Sequence, residues 1–177
     1  MTLRHVLSIG CLALIGLTAN PATRAQVNEP VVEAWRSLAK AQPPLTQRFR
    51  ETSEALEARA FALVTAGNGD QANLAIAWSD HALELRHLLD IGVLTCGWFA
   101  DCSCEPDRAV ARDAVIKFIR LASERHNELL PTTPEARDQE TKQRVAELAL
   151  CQTDVLATLA AFAEGAGIAE LADIVVP

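Results

Sequence analysis

From Glu29 onward, apolar residues recur every three or four positions, the period of one face of an α-helix. No segment alternates apolar and polar residues as a half-buried strand does. The pattern divides into five predicted helices. The first covers about 29–41, with Pro30 in its opening turn and Val31, Trp35 and Leu38 on one face. "QPP", 42–44, is expected to end it, because proline lacks the amide donor of the helical ladder and its ring crowds the preceding turn. The second covers about 44–66, where Leu45, Phe49, Thr52, Leu56, Ala60 and Leu63 step by three or four. Gly67 suits a left-handed stop, and Asp70 suits the N-cap of the next helix.

The third helix covers about 71–91, at the furthest reaching Cys96, and Leu74, Trp78, Ala82, Leu85 and Leu89 form its stripe. The fourth runs from Pro106 to about Leu130 along Ala111, Val115, Phe118, Ala122 and Leu129. Thr133 as N-cap and Pro134 as first helical residue open the fifth, which reaches Glu164 before Gly165. Its Val145, Leu148, Gln152, Val155, Leu159 and Phe162 keep the spacing of a bundle seam. The tail, 168–177, adds one short turn at most. Five helices with short connections predict an all-α, up-down helical bundle.

The residues ahead of this pattern read differently. Arg4 and His5 precede an apolar run from Val6 to Leu17, and small residues follow in "TANPATRAQ". That order of charge, apolar run and small residues is that of a secretory signal peptide, and the run is shorter than the roughly 20 residues a bilayer requires. Residues 1–25 are therefore expected to be removed, and 26–177 to form a single domain in the periplasm or outside the cell, with no stable membrane insertion. Of 16 basic residues, Arg4 and Arg24 leave with the signal, so 14 face 23 acidic ones and the net charge is −9. Such a chain repels phosphate backbones, and no basic run offers a nucleic-acid footprint. A basic partner suits it better.

"CGWFADCSCEPD", 96–107, concentrates the chemistry. With Cys11 in the signal, Cys96, Cys102, Cys104 and Cys151 remain, an even number that in an exported protein implies two disulfides. A bridge between Cys102 and Cys104 would close a strained ring around one residue. The pairing is then 96–102 with 104–151, which we favour because Cys104 directly precedes the fourth helix, or 96–104 with 102–151. A bridge to Cys151 would stabilise by about 4 kcal/mol in the chain-entropy model. The rival is a thiol-redox or metal-handling role for the same cluster. The C-x5-C-x-C spacing is not that of structural zinc, and Asp101, Glu105 and Asp107 oppose thiolate formation.

Other chemistry is sparse. Glu84 and His87 form one E-x-x-H unit, but di-iron bundles need two. His81 and His87 lie about 120° apart around a helix, too far to share a metal. His126 suits a helix C-terminus. Met1 is the sole methionine and no C-x-x-C-H occurs, which disfavours haem and thioether copper sites. No G-x-S-x-G is present, so no catalytic residue, metal ligand or cofactor is assigned. A polar pocket around Asp80, Glu84 and His87 is the remaining enzymatic option. Arg48, Arg50 and Arg59 beside Glu51, Glu54 and Glu57 read as a solvated face. Trp98, Phe99 and Asp101, on a loop held by disulfides, are the candidate partner-binding residues. The expected function is non-enzymatic binding of a protein or peptide, as an inhibitor or accessory subunit.

Overall fold

The stripe that begins at Val31 does not stop at the proline pair. Val31, Leu38, Leu45 and Thr52 are each seven residues apart, so the register crosses Pro43 and Pro44 unbroken, and all four are buried. A computed structural model, which describes residues 29–102, 105–129 and 137–171, makes this segment one helix, α1, Glu29–Thr65. Two predicted helices are thus one, and the described residues hold four long helices rather than five. An interior proline costs about 3 kcal/mol. Here both prolines are exposed, so the carbonyls they leave without donors can turn to water. Burying Val31 and Leu38 against the bundle contributes about 1.5–3 kcal/mol each. Asp90 of the next helix adds a clamp, accepting from Gln42 Nε2 before the prolines (2.6 Å) and from Thr46 Oγ1 after them (3.3 Å).

α1 ends in a Schellman motif. Gly67, at φ +74°, takes the left-handed position; its amide donates to Val64 O, and the Asn68 amide to Leu63 O. α2 follows at once, Gly69–Asp101. Asp70 lies in its first turn, where a carboxylate favours the helix dipole, and Asn68 holds the N-cap position. α3 is Glu105–Leu129, with Pro106 in its first turn, and α4 is Gln139–Gly165. The N-cap of α4 is Asp138, whose carboxylate accepts from the Thr141 amide at 2.9 Å; Thr133 and Pro134, expected there, lie outside the described residues. A second Schellman turn, with Gly167 at φ +68°, brings buried Ile168 and a 3-10 turn, Ala169–Leu171, under the end of α4.

α1 lies against α2 and α4, and α3 completes the ring between them. Neighbours run antiparallel: a Cβ on Gly165 near the end of α4 would come within 2.9 Å of the Ala34 Cβ near the start of α1. The core joins Leu38, Phe49 and Leu56 of α1 to Trp78, Leu85 and Leu89 of α2, Val115 and Ile119 of α3, and Leu148, Leu156 and Phe162 of α4. Phe118 packs where Gly92 has no side chain; a Cβ there would lie 2.0 Å from its ring. α4 is apolar and long enough to cross a membrane by composition, yet Val145, Leu148, Val155, Leu156, Leu159 and Phe162 line this core.

Ion pairs tie the elements together at the surface. Arg48 of α1 pairs with Asp154 of α4, and Arg112 of α3 with Glu170 of the final turn. Arg59 holds Asp138 through two hydrogen bonds of 2.9 and 2.5 Å. Arg48 and Arg59 thus serve inter-element contacts, and of the face expected to be solvated only Arg50 pairs locally, with Glu54.

Candidate interaction surface

The stretch expected to be a cysteine loop is largely helix. α2 continues through Cys96, Trp98 and Phe99 to Asp101, and Cys102 caps it with its amide bonded to Trp98 O at 3.0 Å. A helix points these side chains in different directions. Cys96 and Phe99 turn inward; Phe99 is only 3% exposed and lies beneath the Arg108 guanidinium of α3, 5.6 Å from its ring centroid. Trp98 turns outward at 46% exposure, and Asp101 is also exposed. The candidate trio therefore separates: Trp98 and Asp101 share an accessible surface, and Phe99 belongs to the core.

The cysteines separate as well. Cys96, Cys102 and Cys151 are free thiols, so neither expected set of two bridges is formed by them; Cys104 lies outside the described residues. The physical reason is direction. Cys96 packs in the core of α2, while Cys151 on α4 faces the Leu45 carbonyl of α1 at 3.8 Å. What holds the bundle is the continuous seam. Burial pushes the Cys96 thiol up to about 12, and burial outweighs the nearby Arg48 to push Cys151 up to about 11. Both stay protonated at neutral pH, which opposes nucleophilic or redox use.

Among the described residues, no three His, Cys, Asp or Glu side chains converge as a metal site requires. Glu84 lies 3.7 Å from His81 Nδ1 and 3.7 Å from an Arg125 nitrogen. His81 also meets the Trp78 ring edge-on, with centroids 5.9 Å apart. Asp80, Glu84 and His87 all stand exposed on α2, in contact with solvent and not enclosed as the enzymatic option requires.

A groove of about 440 Å³ opens beside Trp98 instead. Val32 and Trp35 of α1 form one wall; Val93, Leu94, Gly97, Trp98, Ala100 and Asp101 of α2 form the other. Gly97 makes room for the indole of Trp35: a Cβ there would lie 2.9 Å from Nε1. That Nε1 is buried and has no acceptor among the described residues. Leu94, 75% exposed, stands at the rim. Sequence reasoning found Trp98 and Asp101 but missed Leu94, Val32 and Trp35. The available signal was the spacing Leu94–Trp98 on a helix that continues past Ile91.

No family model matches the chain, and no curated protein or solved structure is significantly similar to it.

Proposed function

We propose that this is an exported, non-enzymatic helical bundle that works by binding a protein or peptide partner through the groove between the start of α1 and the end of α2. The observation that carries the reading is the exposure of Leu94 and Trp98 around an apolar groove at a rigid helical end. Large apolar and aromatic residues on a pre-organised surface are the anchors that dominate interface energies. Support for export is the leader pattern from Arg4 to Ala25, and the destination that fits it is the periplasm or the exterior. The role is that of an inhibitor or accessory subunit, with no cofactor.

The test is capture from extract of the native host by the wild-type protein and by Trp98→Ala and Leu94→Ala variants. Both substitutions fall on exposed positions, so the bundle should keep its melting temperature while recovery of the partner drops roughly tenfold or more, about 1.4 kcal/mol or above per anchor. Undiminished capture by folded variants would put the binding site elsewhere. Phe99→Ala is unsuitable, because it empties a core position.

A further inference from the structure

Beyond the groove itself, and resting on the binding reading above, we infer that its occupant is a cationic amphipathic helix lying along the outer face of α2. At 100° per residue, Ile76, Leu83, Ile91, Leu94 and Trp98 fall within an arc of about 80°, with His87 at its centre. All five apolar residues are exposed. The most outward line of α2 is therefore apolar apart from Asp80 and His87, while its opposite face is spent on the bundle core. From Ile76 to Trp98 the line is about 33 Å long. Exposed apolar side chains recurring along one helix line, here interrupted by Asp80 and His87, suit an interaction site.

The fold restricts the form of the partner. The stripe is made of side chains along the body of α2, where the helix's own backbone groups are already bonded. An extended peptide laid on them would find no strand edge and would leave its amides and carbonyls facing leucine and isoleucine. A helix satisfies its own backbone and offers anchors at i, i+3, i+4 and i+7 to match the stripe.

Charge restricts it further. Asp80 and Asp101 stand exposed on this same face near the two ends of the stripe, and neither makes an ion pair among the described residues. The nearby arginines already have acids: Arg36 has Glu29 and Glu33, Arg86 has Asp90, and Arg125 has Glu84. The uncompensated charge around the stripe is negative, so lysine or arginine flanking an apolar face complements it. A second copy of the chain would bring the same two acids and no lysine or arginine on this line of α2. A strip about 33 Å by 10 Å also falls short of the roughly 800 Å² per partner of a stable interface between globular proteins.

The probe is a synthetic 22-residue peptide with leucine at the four helical anchor spacings and lysine elsewhere, titrated calorimetrically into the exported protein. A matched peptide carries glutamate in place of lysine. The lysine peptide should bind, and the glutamate peptide should bind at least about 30-fold more weakly. Leu94→Asp should weaken the lysine peptide about tenfold or more; because this change adds negative charge, attraction to the protein's overall charge alone would strengthen it instead. Asp80→Asn with Asp101→Asn should weaken binding several-fold and flatten its salt dependence. Circular dichroism melts confirm that each variant is folded. Equal binding of both peptides overturns the cationic helix and leaves the groove reading intact. Unchanged binding by folded Leu94→Asp overturns both. A dimer in sedimentation that Leu94→Asp dissolves makes a second copy the occupant and overturns this inference.

Discussion

At Asp138 one carboxylate serves two structures. It caps α4 through the Thr141 amide and hydroxyl, each at 2.9 Å, and it holds Arg59 of α1. The Arg59 hydrogen bonds, with the Thr141 donors, hold its carboxyl well below the usual carboxylate range. A depressed carboxyl contributes stability that is present above its unfolded value, near pH 4, and is lost as pH falls toward the folded value. Asp138→Asn keeps a capping acceptor and removes the charge. Its melting temperature should lie below wild type at pH 7, and the gap should narrow as pH falls below about 4. A gap independent of pH would show that the ion pair contributes nothing.

Gln152 poses the opposite case. It belongs to the α4 seam, is 2% exposed, and neither amide atom has a partner among the described residues. It faces a cavity of about 20 Å³ lined otherwise by apolar groups such as Phe49, Leu89 and Phe118. A buried, unmatched polar group costs about 1–3 kcal/mol. Gln152→Met, of similar length, should therefore raise the melting temperature by several degrees, at about 2–4 °C per kcal/mol for a domain of this size. A fall in thermal unfolding temperature would mean that the amide is satisfied, as by a single internal water, for which the cavity has room.

Among the elements, the stripes were legible and two of the boundaries were not. Leu45, Phe49, Leu56 and Leu63 of the second predicted helix, and Val145 to Phe162 of the fifth, are buried as the three-four spacing requires. The prolines misled because their local cost was weighed without the heptad register that spans them. The cysteine stretch misled because a disulfide framework was inferred from count and compartment, whereas helical periodicity continued through Val93, Cys96 and Phe99, all of which are buried. Of the candidate site, Trp98 and Asp101 remain on the surface; the wall supplied by α1 could not be read, since it depends on how two distant helix ends meet. The continuity of α1 has a direct consequence. Pro44→Ala restores a donor to the ladder and should stabilise the protein by up to about 3 kcal/mol, measured by chemical unfolding. A helix broken at that point would instead gain nothing or lose stability, because proline suits a helix start.

For the molecule as a whole, the absence of bridges among Cys96, Cys102 and Cys151 means that closure depends on the core and on pairs such as Arg48–Asp154. The thiols then report the integrity of the bundle. In the folded protein Cys102, half-buried, should react with an aromatic disulfide reagent, whereas Cys96 and Cys151 should react only as the bundle opens. Denatured without reductant, all three should be labelled. A thiol whose folded value is raised contributes its full stability below the unfolded value, about 8.5, and that contribution is lost as pH rises toward the folded value. Stability should accordingly fall above about pH 9, and Cys96→Ala should blunt the fall. Protein that resists labelling when denatured, and whose mass is two hydrogens light for each bridge, would have formed disulfides. Cys96 and Cys151 would then have to leave the seam they occupy, so the ends of α2 and the middle of α4 would pack differently, and the groove beside Trp98 would change with them.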